Sequence, residues 1–158
     1  MFELEGLKKI VRFKVNGQSF GIQLSDIDTI IRAVEITSVP NSPDYLCGII
    51  DMHGIVVPVI SFHVRIGLQD RPTLIDDRFI IAKVPGRIIA LRVDEVTDII
   101  ENGENQFLKA EAISSDLEIH GIVRSKDGLI MIYNLEKFLS SDEISFLDSL
   151  SRDQLANQ

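Results

Sequence analysis

The side chains best suited to acid–base, nucleophilic or metal chemistry are three histidines, one cysteine and two carboxylate doublets. His53, His63 and His120 include no H-x-x-x-H pair, and there is no C-x-x-C, so the spacing lacks the pattern of a zinc site. The plain reading of all three is surface or turn histidines. Asp76-Asp77 and Asp94-Glu95 are adjacent pairs. Neighbours on a strand point to opposite faces, which suits solvated charges better than a general acid with its base. No G-x-S-x-G, P-loop or G-x-G-x-x-G occurs. Gly48 and Gly54 frame a turn too short and too acidic to cradle phosphate. Cys47 is the only cysteine and follows Leu46 before Gly48-Ile49-Ile50; it reads as a buried free thiol. The expectation is a chain with no catalytic residue, no metal and no cofactor: a binding module and not an enzyme.

The elements that must position any binding surface come in two copies. Lys14–Ile31 (K-V-N-G-Q-S-F-G-I-Q-L-S-D-I-D-T-I-I) aligns without a gap on Lys83–Ile100 (K-V-P-G-R-I-I-A-L-R-V-D-E-V-T-D-I-I). Lys, Val, Gly and the closing Ile-Ile coincide. Gly48-Ile49-Ile50 through Val59-Ile60-Ser61-Phe62 then matches Gly121-Ile122-Val123 through Ile132-Tyr133-Asn134-Leu135. Two copies of roughly 70 residues imply two similar lobes related by a pseudo-two-fold axis, too few for a solenoid. A lobe of that size is marginal alone, so the lobes must share a core or pack on each other.

Within each copy the apolar residues alternate. Val11, Phe13 and Val15, then Phe20, Ile22 and Leu24, have strand period, and Asn16-Gly17 between them is a hairpin turn. Strands are expected over Ile27–Val34, Ile36–Val39, Gly48–Asp51 and Ile55–Phe62. A short helical turn is expected at Ser42-Pro43 and a turn at His53-Gly54. Pro58 implies an edge or a bulge. Residues 66–77 are a polar link between the copies. Phe79–Val84 and Ile88–Val93 make the second hairpin around Pro85-Gly86. Ser125–Gly128 turns between Gly121–Val123 and Leu129–Tyr133, and Leu108–Glu118 reads as a loop. Ser140-x-x-Glu143 is a capping box. It opens a helix over about 141–155, with Ile144, Leu147 and Leu150 on the face that packs on the barrels. The fold class is therefore all-β: two pseudo-symmetric small five-stranded β-barrels with a short C-terminal helix. All of residues 1–158 form one domain, with lobes over about 10–68 and 78–139 between which strands can be exchanged.

Of the 158 residues, 45% are apolar and 25% charged, and the net charge is −8. That balance argues against a nucleic-acid partner, which calls for clustered Lys and Arg. Met1–Lys9 does not read as a signal peptide, and no apolar run approaches the roughly 20 residues of a membrane-spanning helix. A cytoplasmic protein is expected. Grooves between lobes and open strand edges are ready protein-binding surfaces.

V-P-N-S-P-D-Y-L-C-G-I-I-D-M-H-G-I-V-V-P-V-I-S-F (Val39–Phe62) resembles the signature of the CheW family of chemotaxis coupling proteins. That signature reads V-P-x-x-P-x-Y/F-x-x-G-V/I-x-N-L-R-G-x-V/I-x-P-V/I-V/I-D-L. Leu91–Ile100 is similar to the family's L-x-V-D-x-V stretch, and His120–Leu139 to its closing strands. The resemblance spans about Val11–Leu139. It implies a fold of two small five-stranded barrels, as the repeat does, and a non-enzymatic adaptor. Such an adaptor couples the cytoplasmic tips of chemoreceptors, the methyl-accepting chemotaxis proteins, to the regulatory domain of the histidine kinase CheA. It would be a monomer in isolation and recruited to receptor arrays at the inner face of the membrane.

The receptor-facing groove that the resemblance implies falls on Ile27, Asp28, Thr29 and Ile30, and on Gly48, Asp51, Met52, His53 and Gly54. The kinase-binding residues are not assigned. Four positions depart from the pattern: His53 stands for Arg, Asp51 for Asn, Thr29 for Glu and Ser61 for Asp. His lacks the fixed donor fork and permanent charge of Arg. The alternative these departures raise is a scaffold for a CheA-type kinase in a non-swimming pathway, such as surface motility, development or second-messenger control.

Overall fold

A computed structural model describes residues 9–101, 106–109 and 119–156. Eleven strands and two α-helices follow one another along them. The first half holds β1 (Lys9–Val15), β2 (Gln18–Gln23), β3 (Ile27–Arg32), β4 (Leu46–Met52), β5 (Ile55–Ser61) and the single-turn helix α1 (Phe62–Arg65). The second holds β6 (Arg78–Val84), β7 (Arg87–Val93), β8 (Glu95–Glu101), β9 (Gln106–Lys109), β10 (Ile119–Ser125), β11 (Gly128–Tyr133) and α2 (Ser141–Ala156).

The strands form two sheets, ordered β8-β1-β2-β11-β10-β9 and β3-β6-β7-β5-β4. The repeat is visible in the pairing itself. Ile31 of β3 pairs with Phe79 of β6, and Ile100 of β8 pairs with Ile10 of β1. Ile31 and Ile100 are the matched ends of the two sequence copies. Val59 lies beside Ala90 in a parallel ladder, and Ile132 beside Gly21 in the other. Each hairpin therefore takes its third strand from the opposite half of the chain.

The all-β architecture with its closing helix matches the expectation, and the local differences have simple causes. The expected strand Ile36–Val39 shrinks to a single bridge, Thr37 with Ile49. Its counterpart in the second half is the full strand β9, which makes that sheet six-stranded. β9 also takes in Leu108 and Lys109, the start of the expected loop Leu108–Glu118; residues 110–118 lie outside the described ones. Ser42-Pro43 opens a hydrogen-bonded turn instead of a helix, with Leu46 N donating to Pro43 O at 3.1 Å. Pro58 sits in an inner strand, but the ladder to β7 begins one residue later at Val59. Its missing N–H thus costs no bond on that side.

One core serves both sheets. Phe13, Phe20 and Ile22 from the first meet Leu46, Ile60, Ile80 and Leu91 from the second. Phe62 stands between them. Its ring meets Phe13 and Tyr133 edge-on, at centroid distances of 5.0 and 5.1 Å, and stacks against Phe138. Ser61 Oγ accepts from Val64 N and turns the chain into α1 at that point. Asn134, its match in the repeat, accepts from Glu136 N and starts a 3-10 turn in the same way.

α2 closes the core from outside. Ser140 N donates to Glu143 Oε1 at 2.8 Å and Glu143 N to Ser140 Oγ at 3.1 Å, the reciprocal pair of a capping box. Leu147 is fully buried, with Phe146 and Leu150 packed beside it. Arg65 to Glu143 and Arg87 to Asp148 tie the helix to α1 and β7.

Two substitutions test this arrangement by chemical denaturation. Phe62→Ala is expected to cost about 3–5 kcal/mol, as for a fully buried aromatic ring. Ser140→Ala is expected to cost about 1 kcal/mol. Equal costs would mean that Phe62 is not the centre of the shared core.

Candidate functional site

The residues expected to face a partner divide into surface and packing positions. On β3, an edge strand, Asp28, Thr29 and Ile30 are exposed, whereas Ile27 packs against the main core. Asp51, His53 and Gly54 are exposed in and beside the β4–β5 turn, and Met52 is half-buried. Gly48 is buried and serves packing. A Cβ there would meet Ile36 Cγ2 and Thr37 O, each at 2.4 Å.

β3 and β4 are opposite edges of one sheet. Both border one apolar cluster on the same face, Ile31 of β3 and Met52 of β4 packing against Ile50, Val57, Val59, Phe79, Ile81 and Ala90. Exposed Ile55, opposite Met52 in the hairpin, flanks that cluster, whereas Ile30 pairs with the core residue Ile80 and lies on the other face of β3.

The turn is rigid. His53 and Gly54 have φ of 55° and 89°, the left-handed pair of a two-residue hairpin turn. Gly54 N donates to Asp51 Oδ1 at 2.8 Å. The carboxylate closes the turn as the family's asparagine could, so this departure preserves the geometry and changes the charge.

The second half presents the related strand and turn differently. Arg12 of β1 donates to Asp98 of β8 at 2.7 and 3.0 Å and reaches Asp127 of the β10–β11 turn at 3.4 Å. A polar cleft of about 630 Å³ opens there between Ile99–Glu101 and Arg124–Asp127. In the first half the matching positions are Ile81 and Thr29, which cannot form this ion pair. The first surface is apolar and open where the second is ionic and clasped.

A charge cluster that the sequence reading missed lies under the link between the halves. Arg92 is 1% exposed and is held by Asp70, Ser61 and Thr73. Arg71 grips Asp77 with two bonds, of 2.7 and 2.9 Å, and also contacts Asp94. His63 Nε2 lies 3.2 Å from Asp94. Asp77 and His63 are thus buried and not solvated; Arg71 compensates Asp77, while burial together with Arg71 and Arg92 disfavours a charge on His63. The signal was present in I-I-A-L-R-V: an arginine in an apolar strand needs a counter-charge. Burial pushes Asp70 up, but hydrogen bonds from Ser61 and Arg92 outweigh it and hold the carboxyl below its ordinary value. Ser61 stands where the family pattern has Asp, and here it shares Asp70 with Arg92.

His120, on β10, is half-buried beside Gln23. Burial pushes Cys47 up to about 11, keeping it a thiol. No group of three or more His, Cys, Asp or Glu among the described residues could hold a metal ion. No described helix is long and apolar enough to cross a membrane.

The candidate site thus sits on a duplicated β domain, at an exposed edge strand and a tight exposed turn. Comparison with known proteins supplies its family. A CheW-like domain matches residues 9–143, and the chain belongs to the CheW-like family of chemotaxis adaptors. The chemotaxis protein CheW of Bacillus subtilis is 28% identical over 143 residues, 89% of this chain and 92% of that one. The CheW of Rhizobium meliloti is 26% identical over 141 residues, 87% and 91%. The crystal structure of the scaffolding protein TtCheW from Thermoanaerobacter tengcongensis superposes with a TM-score of 0.74 at 27% identity, covering 86% of this chain and 94% of that one.

Two tests follow from the site. Gly48→Ala is expected to cost at least about 2 kcal/mol more than Gly54→Ala, because only the former meets backbone; equal losses in denaturation midpoint would contradict this. Burial holds His63 and His120 below the ordinary 6.5, against the opposing pull of Asp94 and Asp26. The unfolded chain then takes up protons that the folded chain resists. Stability is intact above about pH 6.5 and falls as the pH drops below it. Burial raises Asp26, whose contribution runs the opposite way. Denaturation midpoints should decline from about pH 6.5 downward, and His63→Gln should flatten the decline. A flat profile in the parent protein would overturn the assignment.

Proposed function

We propose that this chain is a non-enzymatic adaptor that couples the cytoplasmic tips of chemoreceptors to the regulatory domain of a CheA-type histidine kinase. The observation that carries the reading is the match along residues 9–143, both halves in order, to proteins of the CheW family. The chemotaxis names of these relatives favour it over the non-swimming alternative. An adaptor of this kind acts in the cytoplasm and is recruited to receptor arrays at the inner face of the membrane.

The receptor is proposed to lie on the patch between β3 and the β4–β5 turn. Asp28, Thr29 and Ile30 form one side, and Asp51, Met52, His53 and Gly54 the other. Exposed apolar groups beside a fixed turn favour a helical partner that buries an apolar stripe. Ile27 and Gly48 contribute by setting the backbone beneath. His53 offers one or two donors where the family pattern has an arginine, so the turn selects a partner with less negative charge at that point.

Calorimetric titration with the CheA regulatory domain and, separately, a receptor tip tests the reading. Saturable binding to both is expected, and binding to neither by folded protein would sink it. His53→Glu should weaken receptor binding about tenfold or more while leaving the melting temperature and kinase affinity in place. Unchanged receptor affinity would move the interface elsewhere.

A further inference from the structure

We propose that the link between the halves, residues 69–76, is a strap latched by side-chain ion pairs over the cleft beside Cys47, and that it lifts without unfolding the sheets. Among the described residues, the backbone bonds joining the link to the body lie at its two ends. Leu68 N donates to His63 O at 2.9 Å, and Ala33 N to Asp77 O at 3.0 Å. Between them no strand or helix forms. What holds the middle is side chains: Asp70 to Arg92 and Ser61, Thr73 to Arg92, and Arg71 to Asp77 and Asp94.

The locks of Asp70 on Arg92 and of Arg71 on Asp77 each reach water on one side only, since Arg92 and Asp77 are buried. The side chains of Asp70, Arg71 and Asp94 are 32%, 26% and 31% exposed, so salt and solvent compete for them. Beneath lies a cleft of about 460 Å³ whose lining includes Ile36, Cys47, Thr73 and Arg92. Leu74 and Ile75 ride on the strap with 53% and 86% of their surface exposed, so their apolar burial adds little to its hold. A segment with no strand or helix of its own, held by ion pairs whose strap-side or outer partner reaches water, belongs to the less stable parts of a protein. Lifting it admits water to Arg92, which removes the cost of parting that cation from Asp70. The cleft is not an anion site: Asp70, Asp77, Asp94 and Glu35 outnumber the two arginines around it.

Cys47, the sole cysteine, reports the opening. Its thiol is half-buried in the cleft wall and protonated when the strap is down, and lifting the strap exposes it further. The experiment is the rate of iodoacetamide alkylation of the full chain at fixed pH, followed against urea below the unfolding transition. A rate nearly independent of urea, rising with sodium chloride up to about 0.5 M, is the expected result. Asp70→Asn should raise the rate about tenfold or more with the melt still cooperative. If that variant fails to fold, Arg71→Gln breaks the other lock and should raise the rate as well. Alkylation that climbs with urea as steeply as global unfolding would overturn the proposal, because Cys47 would then be reached only through the unfolded chain. So would rates indifferent to salt and to both substitutions.

Discussion

Two small sheets, each too slight to bury its own apolar face, must share one interior, and the ring of Phe62 is where they do so. It lies between the phenylalanines of the first hairpin and Tyr133 and Phe138 of the closing segment. Edge-to-face contacts at about 5 Å let several rings meet at one point with defined orientation. The Ser61 cap positions the ring, because it ends β5 and turns the chain inward at that residue. The packing of α2, the register of the parallel ladders and the placing of the β4–β5 turn all follow from how the sheets close on this centre.

Duplication made the halves alike in backbone and left them free to differ in polarity. Where Arg12 clasps β8 to its turn with a pair of carboxylates, the first half has Ile81 and Thr29. Where Gln23 meets His120, the matching Arg92 of the second half is buried on Asp70. The same scaffold thus carries an apolar surface on one side and a salt-bridged one on the other. An adaptor needs such asymmetry if unlike partners are not to compete for the same place.

Much of this was legible in the residues. The alternation around Asn16-Gly17 and Pro85-Gly86, the gapless repeat and the Ser140–Glu143 box are local signals, and each element they imply is in place. Ile36–Val39 was legible as a strand by pattern but not by partner. Only Thr37 finds a bridge, since strand formation depends on what lies alongside. Of the positions that the resemblance singles out, Thr29, Ile30 and His53 are exposed, and Gly48 is buried with no room for a Cβ, a clearance that only the folded backbone reveals. The charge cluster was opaque because its members, His63, Asp70, Arg71, Asp77, Arg92 and Asp94, are brought together by the path of a link with no periodicity. Adjacency in sequence had suggested solvated doublets; in three dimensions, Asp77 and Asp94 share Arg71.

The exchange of third strands between the halves bears on synthesis. When the ribosome has released the first sixty or so residues, β1 and β2 have formed a hairpin whose flanking positions are still empty. One awaits β8, the other β11. Meanwhile β3 has no partner, and the β4–β5 hairpin keeps one edge open, until β6 and β7 emerge. Neither sheet can be finished early, and contacts between residues so distant along the chain form slowly. The nascent protein therefore spends most of its elongation with open strand edges, a period in which chaperones or neighbouring nascent chains have access to them.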